Sequence, residues 1–214
     1  MNRRFTLHLF WGSHSPFYAL TGAGLIIMAS SRLAFAIVCT GAIFWVYGFT
    51  ALVYTSSSRI MPLRGKIVIL LFLSTFLCAF YMLIVSLINP LLIFGTSFFL
   101  LLVPPCCLGT GFYEAAESED SVEAVSRALL EAMTLSGIIL AFALIREPLG
   151  MGTLSFPGGI QGIIELFDNP NAENFVPARI LSVSAGGFFL LGYGTAIYRY
   201  FREQNVPRSS QEDD

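Results

Sequence analysis

From Ile67 to Ile88 the chain runs through IVILLFLSTFLCAFYMLIVSLI without a charged residue. Apolar runs longer than about 18 residues read as membrane-spanning helices, because lipid offers no partner for backbone N–H and C=O groups and only a helix satisfies them within one segment. The rest of the sequence repeats this pattern. Apolar segments cover Phe17–Ser31, Leu33–Tyr54, Ile67–Ile88, Leu91–Leu108, Val125–Ile145 and Ile180–Phe201, broken by Arg32, by the polar stretch from Thr55 to Lys66, by Asn89-Pro90 and by an acidic run after Leu108. Charged residues make up 12% of the chain, about half the share of a soluble domain. The fold expected is therefore an all-α integral membrane protein with six transmembrane helices. Arg3 and Arg4 precede an apolar stretch, as in a signal peptide, but the apolar pattern continues to Tyr54, so the first segment is expected to remain as a span.

An even number of spans puts both termini on one side. That side collects Arg3, Arg4, Arg59, Arg64, Lys66, Arg127, Arg199, Arg202 and Arg208, against Arg32, Arg146 and Arg179 opposite. Excess Lys and Arg stays cytoplasmic, which places both termini inside a bacterial-type cytoplasmic (inner) membrane. Six spans also divide into two sets of three, and an odd-numbered unit repeats upside down. Residues 1–88 form the first three-span repeat, 89–201 the second, and 202–214 a polar cytoplasmic tail. The first span of each half carries helix-weakening residues, Gly22-Ala23-Gly24 in one and Pro104-Pro105 with Gly109-Thr110-Gly111 in the other. The second spans share Ser31-Arg32 and Ser126-Arg127 and the mid-span glycines Gly41 and Gly137.

Pro105 keeps residue 104 away from helical angles, and neither proline has an N–H. A helix from Leu91 to this point covers about 20 Å, short of the roughly 30 Å hydrocarbon core. The break, with Cys106 and Cys107 beside it, is thus expected inside the membrane and covered by protein. Two adjacent thiols there are open to two readings: small apolar fillers, or ligands of an iron–sulfur cluster whose sulfurs accept hydrogen bonds from backbone N–H groups freed by the break. Cys39 and Cys78, mid-helix and alone, read as core residues.

The stretch Cys107-Leu-Gly-Thr-Gly111-Phe-Tyr-Glu114-Ala-Ala resembles the Asn-Cys-x-x-x-Gly-x-x-Glu-Ala segment of the paired six-span subunits of Rnf and Na+-translocating NADH:quinone reductase (Nqr) complexes. Arg146-Glu147-Pro-Leu-Gly150-Met-Gly152-Thr153-Leu154 resembles that family's Arg-Glu-x-x-Gly-x-Gly-Thr motif after the fifth span. The likeness is specific from about residue 103 to 154, and Glu114 with inside termini is closer to the RnfE/NqrD type. The resemblance implies two inverted three-helix repeats, a homologous six-span partner, and a [2Fe–2S] cluster shared with that partner subunit, each subunit giving one cysteine per half. Cys107 matches the second-half ligand and Cys106 stands where the family has asparagine. No cysteine precedes Cys39, so the family's first-half ligand, expected near Gly24, is missing.

Other polar residues carry alternatives. Glu114, Glu117, Glu119, Asp120 and Glu123 form an acidic patch, read as a solvated loop capping the fifth span or as a dock for a basic electron-transfer subunit. Arg127 and Glu131 have the spacing of a helix-surface ion pair, and Glu131 is also a candidate intramembrane carboxylate. Arg146 and Glu147, with Pro148 stopping the helix, read as a mutual ion pair in a glycine-rich turn or as an ion-uptake site. Ile160 to Phe167 reads as a short interfacial helix, and His8 and His14 as part of an amphipathic surface stretch. The sequence lacks HExxH, GxSxG, a Walker A loop and a nicotinamide site, so the chain is expected to catalyse nothing alone. The functions that follow are a membrane subunit of an Rnf/Nqr-type ion-translocating electron-transport complex, helping to carry electrons coupled to Na+ or H+ movement, or else a small inverted-repeat secondary transporter or a non-redox membrane scaffold.

Overall fold

A computed structural model describes residues 16–57, 66–109, 121–158, 162–167 and 179–204. They form helices α1 (Pro16–Ala29), α2 (Leu33–Ser57), α3 (Lys66–Ile88), α4 (Pro90–Leu100), α5 (Val103–Gly109), α6 (Ser121–Met151) and α7 (Ser184–Gln204). A hairpin of β1 (Leu154–Pro157) and β2 (Ile163–Phe167) and a 3-10 turn (Arg179–Ser182) lie between α6 and α7. Among the described residues, three helices are long and apolar enough to cross a membrane, over Leu33–Ser57, Val68–Ile88 and Val125–Met151, while α1 and α4 are apolar but shorter.

The most extensive packing is between α2 and α6, which run antiparallel through the middle of the fold. Along α2, Ala36, Cys39, Ile43, Val46 and Tyr47 are buried. Opposite them on α6 lie Ala132, Ile139 and Ala143. The small residues let the two backbones approach, as helix pairs in lipid require in the absence of a hydrophobic force between them. A second, smaller cluster of Ala51, Tyr54, Leu70, Leu108 and Ala128 closes the opposite end. The outward faces are apolar as well: Phe72, Phe76, Leu83 and Leu87 of α3 and Phe94 and Phe98 of α4 are exposed. A surface this greasy fits lipid or another apolar protein, and not water.

Tyr81 joins α3 to α2 by donating its hydroxyl to the Val38 carbonyl at 2.9 Å. Gly41 makes room for it, since a Cβ there would stand 2.5 Å from the Tyr81 hydroxyl. Gly137, its expected counterpart in the second half, is exposed with no atom within 4 Å of a built Cβ, so the two glycines do different things. The helix boundaries follow the apolar segments closely, with four departures. α1 passes through Gly22-Ala23-Gly24 unbroken. The break in the fourth segment falls at Leu101-Leu102, and Pro104 and Pro105 belong to the first turn of α5, where a missing N–H removes an unsatisfied donor. α6 runs past Pro148 to Met151 and stops at Gly152, whose φ of 70° is a left-handed conformation suited to glycine.

The fourth departure is the hairpin. Ile163–Phe167, expected to be helical, is a strand antiparallel to Leu154–Pro157, in register Ser155 with Glu165 and Phe156 with Ile164. Five residues rich in β-branched and aromatic side chains are too few for a helix that stands by its own hydrogen bonds. Gly162, at φ 86°, lets this hairpin abut the α3–α4 turn, where a Cβ would stand 3.1 Å from the Leu92 nitrogen.

Gly41→Ala should destabilise the purified protein by about 1–3 kcal/mol through overpacking. Tyr81→Phe removes the hydroxyl that the new methyl meets, so the double variant should be more stable than the sum of the two single losses implies. Thermal unfolding of the four proteins in one detergent checks this coupling.

Candidate functional site

The sequence singles out two places, the Arg146-Glu147 pair and the thiols at the α4–α5 break. At the first, both charged residues lie in the last turns of α6 and are buried, at 2% and 1% exposure. They do not pair with each other. Adjacent helical residues point about 100° apart, and each side chain serves a different helix end.

The Arg146 guanidinium donates to the Ile27 carbonyl in the last turn of α1 and to the Ser30 hydroxyl at 3.3 Å. On its other side it donates to the carbonyls of Leu181 at 2.7 Å, Ser182 at 3.3 Å and Val183 at 3.1 Å. The last turn of a helix leaves carbonyls without intrahelical partners. Here the Ile26 carbonyl receives the Ser30 N–H, the Met28 carbonyl receives the Ser31 N–H, and Ile27 takes the cation. A cation at a helix C-terminus also complements the macrodipole.

Glu147 does the converse. Its Oε2 accepts from the Leu33 N–H at 2.6 Å, the first residue of α2, and the neighbouring Ala34 N–H goes to the Ser155 hydroxyl at 3.3 Å. A carboxylate at a helix N-terminus meets both unsatisfied N–H groups and the positive end of the dipole. The α1–α2 turn is therefore held between a cation on the helix that ends there and an anion on the helix that begins there.

The glycines around this clamp are required by close approach. A Cβ on Gly150 would lie 2.8 Å from the Ser182 nitrogen, and one on Gly187 would lie 3.3 Å from Arg146 Cζ and 2.9 Å from the Ile27 side chain. Gly186 is tighter still, 2.1 Å from the Ile180 carbonyl oxygen. The sequence reading missed Gly186-Gly187 and Ser155; the only trace they leave is a glycine pair at a helix start and a serine just after the Gly152 turn. Arg32, at the same turn, forms a partly exposed ion pair with Glu165 of β2 at 3.7 Å. Such a pair contributes little.

At the second place, Cys106 and Cys107 are fully buried in α5, and all four cysteines are free thiols in the interior. The two adjacent thiols face different neighbours. Cys106 lies beside Thr21 of α1. Cys107 lies beside Thr50 of α2, whose hydroxyl is buried with no hydrogen-bond partner among the described residues, and within electrostatic reach of Glu131 of α6. Among the described residues no three His, Cys, Asp or Glu side chains converge as a metal site. A cluster shared between subunits needs ligand sulfurs on the surface that meets the partner, yet both sulfurs lie at 0% exposure inside the main core. The break also leaves few backbone donors for sulfur: Pro104 and Pro105 have none, and the Cys106 N–H is taken by the Leu102 carbonyl at 3.2 Å. These residues do not fit the [2Fe–2S] cluster that the resemblance implies.

Glu114 and the acids at 117, 119 and 120 lie outside the described residues, as do His8 and His14. Compared with protein-family models and with curated proteins, the chain has no match.

Arg146→Lys keeps the charge but cannot reach both the α1 and the 3-10 carbonyls, and should destabilise the fold by about 3 kcal/mol. Glu147→Gln keeps an acceptor for the Leu33 N–H and loses only the charge, costing roughly 1 kcal/mol. Glu147→Leu strands that N–H and should cost about 2–3 kcal/mol. The order of the three melting temperatures, Gln above Leu and Leu near or above Lys, is the check.

Proposed function

We infer that this chain is an integral membrane subunit of an Rnf/Nqr-type ion-translocating electron-transport complex, to which it contributes a helical frame rather than an electron carrier. In this reading the chain crosses the bilayer six times as two inverted three-helix repeats, with both termini cytoplasmic. It sits against a homologous six-span subunit. The helices α1 to α3 belong to the first repeat. The interrupted α4–α5 segment, α6 and α7 belong to the second.

The observation that carries this reading is the use made of the Arg-Glu-x-x-Gly-x-Gly-Thr segment. Arg146, Glu147 and Gly150, with Gly152 ending α6, form the joint between the α1–α2 turn of the first half and the start of α7 in the second. The residues that carry the family resemblance thus act as one unit. The central antiparallel pair of α2 and α6, each the second span of its half in this reading, supports the repeat arrangement. Arg32, Arg146 and Arg179 gather at one end of the bundle, in keeping with the charge asymmetry that orients the chain. Electron carriage through the chain's own thiols is left out of this function because their sulfurs do not fit a shared cluster.

The test is purification of the tagged chain from its own membranes in mild detergent, with the co-purifying subunits identified by mass spectrometry. A second six-span subunit carrying its own Arg-Glu-x-x-Gly-x-Gly-Thr segment, in equal amount and alongside redox subunits, is the expected result. A chain that purifies alone, or with a solute-binding partner only, would contradict the reading. Reporter fusions at the two ends should both report a cytoplasmic location.

A further inference from the structure

The geometry points to a structural use for a thiol at the α4–α5 break: the Cys78 S–H group seals it, and the chain carries no iron–sulfur cluster of its own. The thiol part stands on the hydrogen bonds alone. The Rnf/Nqr reading enters only by naming the cluster to be tested for.

In a continuous helix the Leu100 carbonyl would accept from the N–H four residues on. That residue is Pro104, which has no N–H. An unsatisfied carbonyl is costly in an apolar interior. Cys78, on α3, donates its Sγ–H to this carbonyl at 3.3 Å. A sulfur that donates in this way holds its proton, and neither a thiolate nor a metal-bound sulfur can do so. Cys78 therefore does what the proline cannot.

The neighbouring backbone completes the seal. Leu101 and Leu102 still donate backwards, to Ser97 at 3.4 Å and Phe99 at 3.0 Å, and α5 restarts with Cys106 donating to Leu102. Helix α5 then runs with Cys106 beside Thr21 of α1 and Cys107 beside Thr50 of α2. Thr21 lies three residues before Gly24, around which the missing first-half cysteine was expected. A hydroxyl faces a thiol at that place, where the resemblance implies a pair of thiolates on iron.

The test uses the full chain with whatever subunits purify with it. Iron content and low-temperature EPR of the reduced material are compared for wild type, Cys106→Ala and Cys107→Ala, and thermal unfolding for wild type, Cys78→Ser and Cys78→Ala. Equal iron per complex in all three proteins is expected, whatever other subunits hold. Cys78→Ser, which can still donate to Leu100, should melt close to wild type, and Cys78→Ala a few degrees lower. An iron signal lost with Cys106 or Cys107 would overturn the absence of a cluster. Cys78→Ala as stable as wild type would overturn the sealing role.

Should the core variants fail to fold, the wild-type protein decides through alkylation by a membrane-permeant maleimide. All four thiols should stay unmodified until the protein is denatured, and labelling of Cys106 or Cys107 in the native state would overturn the proposal. Recovery of the chain without a six-span partner, with these thiol results intact, would sink the family reading and leave this inference standing.

Discussion

A helix that ends in an apolar medium must find partners for its last carbonyls and first N–H groups, and the α1–α2 turn meets that demand with two buried charges from a third helix. Arg146 takes the Ile27 carbonyl, and Glu147 takes the Leu33 N–H. Burying ions is expensive unless every donor and acceptor of the pair finds a partner. Here the expense is offset in part, because each ion faces the helix end of opposite polarity and the guanidinium also satisfies three carbonyls around the 3-10 turn, while Glu147 Oε1 is buried with no hydrogen-bond partner among the described residues. The position of α1, α2, α6 and α7 relative to one another follows from these contacts. Gly150, Gly186 and Gly187 follow too, since any side chain there would push the 3-10 turn or α7 away from the guanidinium.

The same constraint, met with weaker groups, governs the α4–α5 break. Two prolines take away donors and so free carbonyls. The chain answers with a thiol from α3 and a tightened final turn in α4. One end of the bundle is thus held by charge-assisted hydrogen bonds and its interior break by a thiol contact. Charge-assisted bonds are roughly twice as strong as neutral ones, so the clamp is the firmer of the two joints.

The helices were legible in the sequence because hydropathy reads lipid exposure directly: the limits of α2 and α3 fall within three residues of the apolar runs at Leu33–Tyr54 and Ile67–Ile88. Special residues were less legible, because their effect depends on what lies opposite. Gly22-Ala23-Gly24 looked like a break and is ordinary helix. Pro104-Pro105 marked a break, but begin a helix rather than end one. Arg146 and Glu147, adjacent in sequence, suggested a pair, whereas helical geometry turns them to separate helix ends. Cys78 looked like filler because the carbonyl it serves is set free by a proline on another helix, a relation that no local pattern contains.

Amide hydrogen exchange at Leu33 and Ala34, with the protein in a lipid nanodisc, tests the clamp most directly. These two N–H groups open α2 and have no partner within their own helix, so without Glu147 and Ser155 they would exchange as fast as those of any frayed helix start. The account predicts protection comparable to the interior of α2. Rapid exchange at both amides, in a protein whose α2 interior is otherwise protected, would show that Glu147 does not hold the helix start and would contradict it.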